Sequence, residues 1–270
     1  FKLHPNFYRN GIEYDYILYP AYEGSIYDVS ASTYLLADEQ IADFTSITGD
    51  KLCSIAGAKP CSGKTQALSI INSRKLANNR GSAWQQQYFN AVSMIQMLMT
   101  VEYASFKSQT FLGLGVTNIA DTPNTENNSI LTGGTSNLGN LSGRAVGTNG
   151  LVSISYRGIE NFWGNIWKWV DGLNISNSRS FISKVNGAFT SDVFANNYSD
   201  VNQNPLVNGY MSKVGLNPNF DYGYIPSEAL GTSSSKYSDY LYRNNVGAFV
   251  GQLGGSWCFG SDAGAFCWSL

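Results

Sequence analysis

Histidine is almost missing from this chain: His4, beside Pro5, is the single one among 270 residues. A Ser-His-Asp triad would have to rest on that residue, and a multi-histidine metal site is excluded by counting. Charge is scarce too. Lys, Arg, Asp and Glu make up 13% of the chain, about half the share usual in a globular domain, and the formal net charge is −2. No basic run is present, so the phosphate-neutralising footprint of a nucleic-acid binder is missing. No apolar run approaches the roughly 18 residues of a membrane-spanning helix. The four cysteines lack CxxC spacing, which argues against a zinc knuckle or a thioredoxin-type site. They fall as Cys53 with Cys61 and Cys258 with Cys267; a disulfide closing the 53–61 loop and a pair of thiols stand as equal alternatives. The chain opens at Phe1 with neither Met nor a signal-peptide pattern, which predicts a processed or trimmed product.

Asn, Ser, Gly and Tyr fill the place of the missing charge. That mixture suits an exposed surface that works through hydrogen bonds and aromatic contact, as a paratope does. Apolar residues make up 43%, enough at this length for a sizeable core. The stretch 156–175, YRGIENFWGNIWKWVDGLNI, holds Phe162 together with Trp163, Trp167 and Trp169, half of the chain's six tryptophans within seven positions. Large aromatics bury the most area per residue, so this cluster is expected at the centre of the main core. Gly158, Gly164 and Gly172 predict bends and close backbone approaches in place of a long helix.

Around that stretch the chain reads as a mixture of short strands, two helices and long loops. Residues 11–19 alternate partly and predict a strand; 22–63 is turn-rich and reads as an insertion over the domain, with a short helix near 38–45. A helix is predicted over 65–79, with Gly81 as its left-handed cap. Ser82 and Gln85 form a capping-box pattern, which predicts a second helix from there to about Tyr103. Tyr88, Val92, Ile95 and Met99 lie on one stripe of that helix, a core face. Residues 113–150 and 192–240 are polar and loop-rich, the latter with seven scattered tyrosines from Tyr198 to Tyr242. Strands are predicted at 151–156, 180–185, 246–253 and 265–270. In the last of these, Phe266, Trp268 and Leu270 share the core side, and Ala265, Cys267 and Ser269 face the other way.

GNIWKWVDG at 164–172 resembles the G-N-V-W-E-W signature of the formylglycine-generating type of C-type-lectin fold. Downstream, GGSW at 254–257 is followed by a short glycine-containing loop and AGAFCWSL at 263–270. In that order the two motifs resemble the variable proteins of diversity-generating retroelements, many of them phage receptor-binding proteins. The resemblance implies an α+β, loop-rich C-type-lectin-like fold, two helices packed on small antiparallel sheets, as one domain over 1–270 ending in a variable hairpin at 246–270. It implies that contact positions derive from asparagine codons with randomised adenines, a route that reaches Cys, Phe, Ser and Asp. In the resembling proteins this region continues further, which predicts chain beyond Leu270.

Three motifs suggest chemistry. AKPCSGKT at 58–65 fits a loose phosphate-loop pattern, with Lys64 and Thr65 as the phosphate and magnesium ligands. Ala58 replaces the usual first glycine, Pro60 removes an amide, and no buried strand precedes it, so a nucleotide site is not expected. Cys258 and Cys267 follow the GGS-like turn as the copper-binding cysteines of formylglycine-generating enzymes do, and thiolates suit Cu(I). Eight residues separate them here where the family has four, which argues against catalysis. The third motif is the loop and strand from Trp257 to Ser269 as a ligand-binding face. Trp257 would anchor it, and Cys258, Phe259, Ser261, Asp262, Cys267 and Ser269 would touch the ligand. Glu160 and Asp171 are expected in structural ion pairs or hydrogen bonds to loop backbone. Calcium, which lectin-like folds often bind, would fall by resemblance to Asn165 and Asp171.

The expected protein is therefore a non-enzymatic adhesin of a phage or prophage virion, at the virion or extracellular surface. Its expected partners are a bacterial cell-surface receptor (protein or glycan), other virion subunits and further copies of itself, without nucleic acid, membrane insertion or a required cofactor. A virion structural protein, using the tyrosine-rich 198–242 region for subunit contacts, and a copper-dependent oxidase are the alternatives.

Overall fold

The computed structural model describes residues 2–36, 42–62, 68–121, 128–186, 189, 197–215, 217–243 and 247–270. Its architecture is α+β. The central element is a seven-stranded sheet with the order β11-β10-β9-β16-β17-β15-β12. Its members are β9 (Lys168–Ser176), β10 (Arg179–Ser183), β11 (Tyr198–Gln203), β12 (Gly209–Tyr210), β15 (Tyr240–Tyr242), β16 (Ala248–Leu253) and β17 (Trp268–Ser269). All neighbours are antiparallel except β15 and β17, which run parallel.

Helix α2 (Phe89–Tyr103) supplies the apolar layer on this sheet. Val92, Ile95 and Met99 are buried as their spacing predicts, and join one core with Val170, Leu173, Ile175, Leu253, Phe266 and Trp268. Phe89 packs tilted against Trp268, ring centroids 6.3 Å apart. The fully buried tryptophans keep their one polar atom satisfied: Trp163 Nε1 donates to Leu114 O at 3.1 Å and Trp268 Nε1 to Tyr224 O at 3.1 Å. Trp167 and Trp169, expected in the same core, are only half-buried. The bend at Gly164 turns the chain between Trp163 and Trp167, so the cluster divides between core and surface.

Helix α2 begins six residues later than the Ser82–Gln85 pattern predicts, its N-cap at 88 in place of 82. Tyr88 is its N-cap in an extended conformation, and it bridges Asp171 in parallel while the Asp171 N–H donates to Gln87 O at 2.8 Å. The chain before the helix is thus held as an extra edge beside β9, and this tertiary pairing overrides the local capping signal.

Region 22–63 forms a second, three-stranded sheet, β4-β3-β5, from β3 (Ser25–Asp28), β4 (Thr33–Tyr34) and β5 (Lys51–Cys53). It packs on α1 (Ile70–Asn78) through a small core of Ile26, Ala42 and Leu76 with Leu35, Phe44 and Leu52. Ser69 caps α1, its side chain accepting from Asn72 N at 3.2 Å. The helix expected near 38–45 falls partly outside the described residues, and 42–45 are not helical.

The smaller elements are a hairpin of β1 (Tyr8–Arg9) and β2 (Ile12–Glu13), helix α3 (Ser108–Leu112), a sheet of β6 (Gly143–Arg144), β7 (Ile154–Tyr156) and β8 (Ile159–Glu160), and a pair of β13 (Lys213–Val214) with β14 (Pro226–Glu228). The strand expected over 11–19 reduces to Ile12–Glu13. Beyond it Tyr14, Tyr16 and Leu18 lie exposed, so their alternation reflects no buried face. Among the described residues no helix is long and apolar enough to cross a membrane.

Candidate functional site

The two signature motifs, ninety residues apart in sequence, interlock in space. Gly164 N donates to Gly254 O at 3.1 Å, Gly254 N to Cys267 O at 2.9 Å, and Trp257 N to Asn165 O at 3.2 Å. The fit leaves no room for side chains at the glycines. Gly164 has φ +74° and a Cβ there would lie 2.7 Å from Val116 O; Gly254 has φ +99° and a Cβ there would lie 3.0 Å from Trp163 Cα.

Asn165 is the hub of this junction. Fully buried at φ +63°, it donates its backbone N–H to Val116 O at 2.7 Å. Its Oδ1 accepts from Ile130 N at 2.8 Å, and its Nδ2 donates to Glu23 Oε2 at 2.5 Å and Ile130 O at 3.3 Å. Lys168 completes the cluster with an ion pair to Glu23 at 2.8 Å. Burial raises the Glu23 pKa, against the lowering effect of Lys168. Asp171, the other candidate calcium ligand, sits in a buried ion pair with Arg74. Protein partners therefore occupy both side chains that the resemblance offered to a cation. Glu160 accepts from Gly133 N, Thr135 N and Thr135 Oγ1, each at 2.7 Å, so it organises a loop.

From this junction the chain rises into the 257–262 loop. Trp257 is 4% exposed and packs with Val116 and Ile166. Its carbonyl accepts from Ile119 N at 2.8 Å, and its Nε1 donates to Asp121 Oδ1 at 3.3 Å. Beyond this anchor Cys258 and Ser261 are exposed, while Phe259 and Asp262 are half-buried. The loop is pinned twice at Gly260, whose N–H donates to Thr117 O at 2.8 Å and whose carbonyl accepts from Gln109 Nε2 at 2.9 Å.

Phe259 enters a row of half-buried rings. It meets Trp167 edge-on at 5.2 Å and Tyr242 at 5.0 Å, and those two meet at 5.8 Å. Tyr240 continues the row 4.7 Å from Tyr242, and Tyr210 follows 5.0 Å from Tyr240. Asp262 lies beneath the row: Tyr242 donates its hydroxyl to Asp262 Oδ2 at 3.0 Å, and Tyr210 donates to Oδ1. Burial first, and then Asp262, pushes both phenols above their ordinary pKa, so both stay neutral donors. Beside the row Trp167, Trp257, Phe259 and Cys258 line a cavity of about 250 Å3 with Asp121 and Ser256 at its polar margin. Such a surface offers ring faces for stacking, a carboxylate as acceptor and exposed small side chains.

Two expected contact residues are placed differently. Cys267 is 0% exposed, and Ser269 is half-buried within β17. Alternation assigned Cys267 to an open face, but Cys267 and Trp268 are both 0% exposed, so the chain entering β17 is covered on both sides. Trp268 packs under α2, and Cys267 lies near Asp239 and Asp262. Burial and then these two carboxylates hold its thiol well above the ordinary cysteine range. A neutral, sealed thiol opposite an exposed Cys258 is a poor pair for capturing Cu(I). Behind it, Asp239 Oδ2 accepts from Phe266 N at 2.7 Å and Ser108 Oγ accepts from Ala265 N at 3.0 Å, which fixes the 264–266 turn.

The sequence reading missed Trp167, Tyr210, Tyr240 and Tyr242 as partners of the loop. Three of the tyrosines of 198–242, Tyr210, Tyr240 and Tyr242, belong to this row. Of the phosphate-loop candidate, Gly63, Lys64 and Thr65 lie outside the described residues, and Ala58, Lys59 and Pro60 are buried. The chain matches no protein-family model and no curated protein sequence.

Proposed function

We propose that this protein is a recognition protein of a phage or prophage virion, an adhesin that binds a bacterial surface receptor, protein or glycan. On this reading its scaffold is a C-type-lectin-like domain of the formylglycine-generating type. The observation that carries the reading is the row Trp167–Phe259–Tyr242–Tyr240–Tyr210 over Asp262, of which Phe259 and Asp262 belong to the expected contact loop. Support for the scaffold comes from the hydrogen-bonded junction of the GNIW and GGSW motifs.

The mechanism is preorganised binding. Trp257, Gly260 and Asp262 are each tied to the framework, so the loop loses little freedom when a ligand docks. Cys258 and Ser261, which are exposed, can change identity at little folding cost. Rings supply contact area and Asp262 a fixed acceptor, a combination that suits sugar hydroxyls or a peptide backbone. Display in several copies would raise the strength of weak single contacts. The test is adsorption of labelled protein to bacterial cells, comparing wild type with Phe259→Ala and Ser261→Arg.

A second reading, a virion structural protein, is favoured by one observation. Ile12, Tyr16 and Leu18 are 59%, 72% and 85% exposed on one N-terminal segment, an apolar surface suited to subunit contact. Sedimentation of a Tyr16→Ser, Leu18→Ser variant separates the two: loss of oligomers with adsorption per subunit retained assigns the segment to assembly.

A further inference from the structure

The three-stranded sheet has two unlike faces. Ile26 and Leu52 pair across β3 and β5 and point into the small core over α1. The next pairs in register, Tyr27 with Tyr34 and Tyr27 with Lys51, stand side by side on the other face. This row lines a cavity of about 400 Å3, together with Cys53, Ser54 and Arg80, and shares no residue with the cavity beside Trp257. Its volume falls in the range of about 300–1,000 Å3 typical of small-molecule sites.

The chemistry of the lining is one-sided. Lys51 and Arg80 bring two positive charges, and no carboxylate is among the described lining residues. Arg80 is also oriented: its guanidinium lies over the Trp84 ring, 4.7 Å from the centroid, and Nη1 donates to Leu52 O at 3.2 Å. That bond uses one of five N–H donors, and the planar fork is suited to a carboxylate or phosphate. Tyr27 and Tyr34 add ring faces and hydroxyls, and Ser54 adds a further hydroxyl.

We infer that this cavity is a second ligand site, for a monosaccharide-sized ring carrying a carboxylate or a phosphate. The anion pairs with Lys51 and Arg80, and the ring packs against Tyr27 and Tyr34. The inference is independent of the aromatic row and of the adhesin reading.

The test titrates the full chain with glucuronate, glucose 1-phosphate, glucose and inorganic phosphate, followed by calorimetry or ligand-observed NMR. Both sugar anions bind at millimolar concentration or better, glucose and inorganic phosphate bind roughly tenfold more weakly, and affinity falls as salt is raised. Lys51→Gln and, separately, the exposed Arg80→Gln each weaken the sugar anions roughly fivefold, while Val101→Ser, exposed on α2 and outside both cavities, leaves them unchanged. Whichever sugar anion binds more tightly identifies the anionic group preferred. Equal binding of glucose, equal binding of inorganic phosphate, no binding of either sugar anion, or full affinity in both folded variants would overturn the inference.

Discussion

The hydroxyl of Tyr242 donates to Asp262 Oδ2 at 3.0 Å, tying the tip of the 257–262 loop to strand β15 in the central sheet. A residue expected purely as a ligand contact is thus also a strut. Asp262→Ala removes this bond and the one from Tyr210, so it should cost about 1.5–3 kcal/mol of stability, the scale of hydrogen bonds to charged groups. Tyr242→Phe should cost about 1 kcal/mol. Urea denaturation checks both, and hydrogen exchange of the 259–262 amides should speed up in the first variant.

The motif junction predicts a steeper penalty. Gly254→Ala places a methyl 3.0 Å from Trp163 Cα at a φ of +99°, where L-residues are strained. A loss of about 1–3 kcal/mol is expected. Gly139→Ala is a control at φ +56° with no atom within 4 Å; it carries the backbone strain without the clash and should cost less in the same thermal unfolding experiment.

Arg74 and Asp171 form a buried ion pair between α1 and β9, with side chains 7% and 2% exposed. Asp171→Asn removes the carboxylate from this buried ion pair and should destabilise by about 3–5 kcal/mol. Replacing both, as Arg74→Met with Asp171→Leu, should recover most of that loss. A double-mutant cycle by chemical denaturation measures the recovery.

Burial raises the Asp239 pKa to about 8, against 3.8 for an ordinary aspartate. The folded protein therefore holds a proton that the unfolded chain releases. The sign follows: the stability linked to this group is fully present below about pH 4 and is lost as pH rises towards 8, at up to about 1.4 kcal/mol per pH unit. Asp239→Asn removes this slope. Wild type and variant should diverge between pH 5 and pH 8, with the variant gaining in relative stability at the higher pH. His4 works in the opposite direction: burial lowers its pKa to about 4, so wild type and variant alike should lose stability as pH falls from about 6.5 to 4.

Period and punctuation made part of this legible from sequence. The stripe Val92–Ile95–Met99 and the inward set Phe266, Trp268 and Leu270 are where spacing puts them, because each packs against one dominant core. Cys267 defeats the same rule, since alternation assumes that one face of a strand is open and the chain entering β17 is covered on both sides. Ser82 and Gln85 carried a valid local signal that the pairing of Tyr88 with Asp171 overrode. Of the candidate site, Trp257 to Asp262 was readable as a loop after a fixed turn. Trp167 and the tyrosines facing it were not, because they come from β9's entry, β12 and β15 and meet only through sheet order. The row Tyr34–Tyr27–Lys51 was hidden for a like reason: β3, β4 and β5 are two to four residues long, too short for period to register.

The most direct test of the aromatic row as a recognition surface is adsorption to bacterial cells by a set of variants with native unfolding profiles. Phe259→Ala, Trp167→Ala and Ser261→Arg should each lower adsorption at least roughly tenfold, the scale of lost hot-spot contacts, while Val101→Ser on the exposed side of α2 leaves it intact. Adsorption unchanged in all three row variants, or lost equally in Val101→Ser, would contradict the assignment of that surface to recognition.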